Sequence, residues 1–158
     1  MRWHGVLAGA MAVFFAGSAS AGVLEERFGD GPACYARAYD AAHLSKNPKQ
    51  RVREIVLTTL ESESGEDTSA WDLLLDFGFT LTDGEQYSAV AYCKDDSCGL
   101  EGDGGSFAVT AAADDGLRLS IGDFLELEGA EGFSGNLAES DDKVFLVYPV
   151  NASGCGLG

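Results

Sequence analysis

Alternation of apolar and polar residues is the main signal in this chain, and it is clearest over residues 71–81. Every odd position of that stretch is apolar, beginning with Trp71 and ending with Leu81, while Asp, Gly and Thr fill most of the even positions. Successive side chains of a strand point to opposite faces, so this period of two predicts a half-buried β-strand. Asp83-Gly84 follows, a dipeptide favoured in tight hairpin turns, and residues 86–93 are predicted to return as the antiparallel partner.

Shorter apolar or alternating runs predict further strands at residues 33–39, 51–61, 105–112, 117–121, 124–128 and 143–150. Seven or eight short strands in sequence predict an all-β domain, an antiparallel meander that forms a small barrel or a sandwich. Helix is expected only as one short turn near residues 41–45, capped by Asp40 and ended by Pro48.

Two polar stretches are predicted to be loops within one domain. Residues 61–69 are charged and are expected to be solvated, and the Gly-rich, acidic residues 129–142 are expected to be a mobile loop. Neither separates two apolar regions that could each form a core. The expected organisation is therefore a single β domain at residues 22–158.

Residues 1–21 are predicted to be a cleaved signal peptide. Arg2 precedes an apolar run at residues 5–17, and the small residues Ala19-Ser20-Ala21 provide a cleavage site. The run is too short to span a bilayer, and the absence of a Cys after the cleavage site argues against a lipid anchor. We therefore expect a monomeric protein in the periplasm or outside the cell.

Four cysteines follow the predicted leader: Cys34, Cys93, Cys98 and Cys155. An even number in an exported chain favours disulfides over metal ligation. Of the three possible pairings we favour Cys93–Cys98, which closes a small loop, together with Cys34–Cys155, which ties the two ends. A zinc site is the alternative, but scattered cysteines and a single histidine make a poor ligand set, so no metal or cofactor is expected.

The charge balance restricts the possible partners. The net charge of the chain is −16, and Arg2 is the only charged residue of the predicted leader, so the exported domain is one unit more negative. Such a surface repels nucleic acid and anionic membranes. It permits a basic protein partner or multivalent cations, and it also serves solubility alone.

Catalytic residues are hard to find in the exported part of the chain. His43 is its only histidine, so a Ser-His or Cys-His pair would have to use it, and no Gly-x-Ser-x-Gly elbow occurs. A structural role for His43 is favoured. The sequence therefore predicts a binding protein and no enzyme, with a hydrolase that uses His43 and a carboxylate as an alternative.

Acidic turns are the candidate binding residues. The Gly-rich run at residues 99–105 contains two carboxylates of the type that calcium binds, although a hairpin turn explains it as well. Three Asp-Asp pairs lie at predicted strand connections, where Asp is favoured by its hydrogen bonds to the backbone. Turns that met at one barrel end would form an acidic rim for a basic partner. The candidates are Asp95, Asp96, Glu101, Asp103, Asp141 and Asp142.

One basic cluster interrupts this acidic chain, at Lys46, Lys49, Arg51 and Arg53. It either docks on acidic parts of the same molecule, which we favour, or recognises an anion.

Residues 34–44 (CYARAYDAAHL) and 47–52 (NPKQRV) resemble small exported bacterial proteins of uncharacterised function, as do residues 92–93, 98–105 and 141–146. The resemblance implies one exported, disulfide-containing domain and brings no activity with it. In size, export, a disulfide and β content the chain is also similar to periplasmic lysozyme-inhibitor barrels, without their inhibitory loop signatures. The leading hypothesis is a barrel whose acidic loops engage a basic protein, in one version a hydrolase that it inhibits. The alternative is a carrier of a small ligand or calcium in the barrel mouth.

Overall fold

The alternating strands of this chain form a closed antiparallel β-barrel in the computed structural model, which describes residues 22–30, 33–60, 67–151, 153 and 155–157. The predicted leader at residues 1–21 and most of the predicted loop at 61–69 lie outside the described residues. Helices and strands follow in the order α1 (Val23–Phe28), β1 (Cys34–Ala38), α2 (Ala41–Lys46), β2 (Val52–Thr59), β3 (Leu73–Leu81), β4 (Gln86–Lys94), β5 (Ser97–Leu100), β6 (Gly105–Ala111), β7 (Leu117–Leu125), β8 (Glu128–Gly129), β9 (Gly132–Phe133) and β10 (Val144–Pro149).

Eight of the strands make up the barrel, in the order β1-β10-β7-β6-β5-β4-β3-β2. Strands β2 to β7 each pair with their neighbours in sequence, and β10 closes the sheet by lying between β7 and β1. Closure leaves β8 and β9 as a separate small hairpin. The prediction of an all-β antiparallel meander is confirmed, and of its two versions the barrel is the one that forms.

Large apolar side chains fill the barrel interior. Phe77 is fully buried, with its ring centroid 5.0 Å from that of Phe107 and 6.0 Å from that of Phe79. The largest fully buried side chains come from most of the barrel strands: Phe77, Phe79, Phe107, Phe145, Ile55, Leu57, Leu75, Leu117 and Leu119. Small eight-stranded barrels are normally filled by side chains in this way, which gives no support to a ligand carried inside the barrel.

Paired aspartates form two of the hairpin turns. Asp95 and Asp96 join β4 to β5 with φ angles of 49° and 61°, and Asp114 and Asp115 join β6 to β7 with φ angles of 56° and 55°. Asp is among the few residues other than glycine that adopt this left-handed conformation readily, since its short side chain bonds locally to the backbone. Turn formation, predicted for these pairs, is thus confirmed.

Both favoured disulfides are present. Cys93 and Cys98 face each other on β4 and β5, five residues apart in sequence, and Cys34 at the start of β1 is bonded to Cys155 across 121 residues. These bonds are consistent with an oxidising environment, extracellular or periplasmic.

Several local predictions are wrong. Residues 117–121 and 124–128 are predicted as two strands, but β7 runs without a break to Leu125. A bulge opposite Gly105 lets β7 continue: a Cβ at Gly105 would lie 2.0 Å from the Phe124 carbonyl oxygen, so only glycine fits there. The hairpin turn predicted within residues 99–105 is present; it occupies residues 101–104, because the first two residues of the run belong to β5 and Gly105 begins β6.

The predicted mobile loop at residues 129–142 is instead packed against the barrel. It contains the end of β8, the strand β9 and a short 3-10 turn, Leu137–Glu139, whose leucine is fully buried. Gly and acidic residues are frequent in loops, but the buried Leu137 and hydrogen bonds from Leu125 and Leu127 to Asn136 and Ser134 hold this segment in place.

Two barrel ends can be defined from this topology. The α1 end carries α1 and the β2–β3, β4–β5 and β6–β7 connections, and the α2 end carries α2, the β3–β4 and β5–β6 connections and the segment between β7 and β10. In the described part of the chain, no helix combines the length and the apolar character needed to cross a membrane.

Candidate functional site

The six predicted binding residues are divided between the two barrel ends. Asp95 and Asp96 lie at the α1 end, whereas Glu101, Asp103, Asp141 and Asp142 lie at the α2 end. Successive connections of an antiparallel meander alternate between ends, so the β4–β5 and β5–β6 turns lie at opposite ends of the four-residue strand β5. The predicted acidic rim is therefore not formed by all six residues together.

Asp142 is a structural residue at the α2 end. Its carboxylate is 1% exposed and accepts hydrogen bonds from the backbone N–H groups of Arg51, at 2.7 Å, and Val52, at 3.1 Å. Ser140 donates its hydroxyl to the same carboxylate at 2.6 Å. These contacts fix the start of β2 and leave Asp142 inaccessible to a partner.

Glu101 and Asp103 belong to a short turn whose geometry is explained without a ligand. The Glu101 carboxylate accepts a hydrogen bond from the Val90 N–H at 3.1 Å, on the edge of β4 that extends past the end of β5. Asp103 has a φ angle of 59°, in the conformation expected of a turn aspartate. Among the described residues, no three His, Cys, Asp or Glu side chains lie together as metal ligands would.

Two residues for which a structural role is favoured over a functional one, His43 and Arg51, are engaged within the fold. His43 places its Nε2 2.8 Å from the Gln50 side-chain oxygen and its ring 4.7 Å from that of Tyr39, while its backbone N–H donates to the capping Asp40 carboxylate at 2.7 Å. The imidazole is therefore engaged with an amide and an aromatic ring. The Arg51 guanidinium donates a hydrogen bond to the carbonyl oxygen of Ser134, which lies in the segment between β7 and β10. For Arg51 the intramolecular interpretation of the basic cluster is thus supported.

At the α1 end, acidic turns hold α1 in place. The Asp96 carboxylate accepts hydrogen bonds from the N–H groups of Val23 and Leu24, at 2.9 Å and 2.8 Å. Arg27 forms an ion pair with Asp115 in the β6–β7 turn, with 2.9 Å between the charged atoms. Leu24 and Phe28, one helical turn apart, are buried below. This packing places the acidic residues of α1 beside those of the β4–β5 turn.

A cleft of about 310 Å³ lies between α1 and the barrel rim. Carboxylates dominate its polar lining, with Glu25 from α1, Asp72 before β3, and Asp95 and Asp96 from the turn. The Asp95 N–H donates a hydrogen bond to the Asp72 carboxylate at 3.1 Å, which sets these two residues side by side. Among the described residues that line the cleft, Lys94 is the one cation.

Trp71 lies next to this cleft and is 43% exposed. The sequence pattern predicts it on the buried face of a strand, but β3 begins only at Leu73, so Trp71 is left on the rim. Its ring centroid is 5.7 Å from that of Tyr92 on β4. The two rings border a shallow depression that also includes Lys94 and Asp95.

We call this surface the aromatic-acidic face and define it by Glu25, Trp71, Asp72, Tyr92, Lys94 and Asp95. Of these, only Asp95 is a predicted binding residue. The sequence pattern assigns Asp72 and Tyr92 to strand faces, and it does not predict α1. A local signal for α1 exists, since two apolar residues four positions apart mark one face of a helix.

Asp76 lies on the outer face of β3 and is half-buried there. Leu157 of the disulfide-tethered C-terminal segment covers the neighbouring Gly78, so the outer face of β3 is more buried than alternation predicts. Burial, which disfavours the charged carboxylate, raises the pKa of Asp76, and the nearby charge of Glu101 raises it further.

The variant Asp76→Asn should therefore melt at a higher temperature than the wild type near neutral pH. A carboxyl whose pKa is higher in the folded than in the unfolded state destabilises the fold as pH rises through the folded-state value. The gain should disappear at about pH 3, where the carboxyl is protonated in both states. Thermal melts across this range test the prediction, with the exposed Asp103→Asn as a charge-matched control. An equal gain in both variants would mean that net charge alone is responsible.

Comparison of the chain with known protein families, with characterised proteins and with solved structures finds no match in any of the three. The geometry and charge of the aromatic-acidic face are therefore the features that bear on function.

Proposed function

We propose that this protein is an exported, non-catalytic binding protein that engages a basic protein through its α1 end. The observation that carries the proposal is the exposed Trp71, which packs beside the half-buried Tyr92 and is flanked by exposed carboxylates. The corresponding partner is a protein with a cationic surface, in one version a hydrolase whose activity is blocked by the contact.

Charge at the α1 end supports a cationic partner. Among the described residues, α1 and the connections at this end carry nine carboxylates: Glu25, Glu26, Asp30, Asp67, Asp72, Asp95, Asp96, Asp114 and Asp115. The cations there are Arg27, which is already paired with Asp115, and Lys94. A rim with one sign of charge attracts a partner of the opposite sign and raises its association rate.

The aromatic pair supports a specific contact in addition to charge attraction. Binding energy at protein interfaces is concentrated in a few residues, and Trp and Tyr are enriched among them. An aromatic pair at the rim, with carboxylates on one side, offers an anchor and charged neighbours together. Because the barrel interior is already filled, this outer surface is a better binding site than the barrel itself.

Export is part of the same proposal. Two disulfides are consistent with an oxidising compartment, and residues 1–21 have the composition of a cleaved leader. In the periplasm or outside the cell, the protein would meet basic proteins of either its own cell or a host.

The proposal is tested by measuring association rates between residues 22–158 and a panel of basic and acidic proteins. For a basic partner, the association rate should fall about tenfold or more between low and high ionic strength, because salt screens charge over about 8 Å under physiological conditions. The double variant Asp72→Asn/Asp95→Asn should show a slower association and a weaker salt dependence.

A matched control makes this experiment specific to the α1 end. The variant Asp103→Asn/Glu131→Gln removes the same charge from exposed positions at the α2 end. It should leave the association rate near that of the wild type. Equal losses in both double variants, or binding that salt does not affect, would contradict the proposed site.

A further inference from the structure

We propose that the side chain recognised by the aromatic-acidic face is arginine, with its guanidinium stacked on Trp71 and paired with Asp72 or Asp95. This inference rests on the proposed function, since it names the group through which a basic partner would bind. It also assigns Lys94 as the residue that weakens this contact.

The depressions around Trp71 share lining residues with one another. Trp71 lines both the shallow depression beside Tyr92 and a smaller one of about 160 Å³. Asp72 joins the smaller depression to the α1 cleft, and Asp95 joins the cleft to the shallow depression. A side chain lying on Trp71 is therefore within the same surface as both carboxylates.

The chemistry of this surface favours arginine over lysine. A guanidinium is planar, stacks on aromatic rings and forms two parallel hydrogen bonds with a carboxylate, whereas an ammonium is compact and strongly hydrated. Cation–aromatic contacts are strongest with Trp. An exposed Trp with carboxylates beside it matches the planar group in both respects.

Lys94 opposes any cationic ligand at this place. It lines both the α1 cleft and the depression beside Tyr92. Within the described ranges the ion pair formed is Arg27 with Asp115, so Lys94 neutralises none of the carboxylates at salt-bridge distance. Its charge therefore lowers the affinity of the face for basic groups. A ligand that binds there needs a favourable contact in addition to charge attraction, and a guanidinium that stacks on Trp71 provides one.

The test uses two peptides of equal length and charge, one with arginine and the other with lysine as its only cationic residue type. Binding to residues 22–158 is measured by calorimetry or NMR titration. The arginine peptide should bind about fivefold to tenfold more tightly. Trp71→Ala should abolish that preference, and Trp71→Phe should retain part of it. Lys94→Gln should raise the affinity for both peptides severalfold.

The outcomes separate this inference from the proposed function. If both peptides bind equally, with losses in Asp72→Asn/Asp95→Asn but none in Trp71→Ala, arginine recognition is wrong and the acidic binding site stands. If neither peptide nor any basic protein binds, both proposals fail. If a neutral oligosaccharide binds in a Trp71-dependent and salt-independent manner, the face is a sugar-binding platform and the arginine proposal is overturned.

Discussion

Replacing Cys34 and Cys155 together by Ser should lower the free energy of unfolding by about 4–5 kcal/mol, as expected when a cross-link over a loop of this size no longer restricts the unfolded chain. The bond joins residues 121 positions apart, so it spans nearly the whole described chain. In the folded state it also tethers the segment that places Leu157 over Gly78. The loss should be measured by urea denaturation followed by circular dichroism.

The second disulfide provides the comparison. Cys93 and Cys98 close a loop of only a few residues, and replacing both by Ser should cost about 2 kcal/mol by the same chain-entropy argument. An equal or larger loss for this short loop would contradict the argument, because the entropy term grows with loop length. A loss near zero for the long loop would show that the C-terminal segment contributes nothing to the fold.

The stability gained from the Cys34–Cys155 disulfide ties the protein to an oxidising compartment. A domain that gains several kcal/mol from one cross-link depends on an oxidising environment, since natural proteins are stable by only about 5–15 kcal/mol in total. Residues 34 and 155 pair only when the two ends of the barrel chain have come together. Reduction would therefore affect the native protein most where β1 meets the C-terminal segment.

Local patterns are sufficient to predict the β3–β4 hairpin and the Cys93–Cys98 disulfide, and the Cys34–Cys155 pairing then follows because only those two cysteines remain. The β3–β4 hairpin depends on alternation and on a two-residue turn signal, both of which are local properties of the chain. The pairing of Cys93 with Cys98 also follows from a short separation. The barrel, in contrast, is closed by β10 lying between β7 and β1, a contact that no local pattern specifies.

Trp71 and β5 show where local reasoning is insufficient. Trp71 continues the alternation of β3 perfectly, yet the strand begins two residues later because pairing with β4 ends at Cys93. Strand β5 has only four residues, including a glycine, and it forms through pairing with β4 and β6 on its two sides. Tertiary contacts decide both cases.

For the candidate site, topology is more informative than composition. An antiparallel meander places the β4–β5 and β5–β6 turns at opposite ends of β5, so a predicted meander already implies that Asp95 and Asp103 do not belong to the same group of turns. The neighbours of Asp95 that matter, Glu25 and Asp72, come from α1 and from the β2–β3 connection. Their proximity depends on the docking of α1, which Asp96 and Asp115 direct from two different turns.

Asp142→Ala should lower the free energy of unfolding by about 3 kcal/mol. The adjacent residue, Asp141, is also an aspartate but is exposed, and its replacement should have little effect. Removing the carboxylate leaves the N–H groups of Arg51 and Val52 without their acceptor in a buried place, and each orphaned group costs about 1–3 kcal/mol. Asp141→Ala is the matched control and should cost less than about 0.5 kcal/mol, as exposed substitutions usually do. Urea denaturation of both variants measures the difference.

The same pair of variants tests whether the two barrel ends act independently. Asp142 belongs to the segment between β7 and β10 at the α2 end and bonds to Ser140 within it, whereas the aromatic-acidic face lies at the α1 end. Under conditions where Asp142→Ala remains folded, it should bind a basic partner with wild-type affinity, because its carboxylate is buried and adds no contact to that face. A loss of affinity in the folded variant would show that the structure of the α1 end depends on the contacts of Asp142 at the α2 end. Equal stability of the two variants would instead mean that Asp142 is not the anchor of β2.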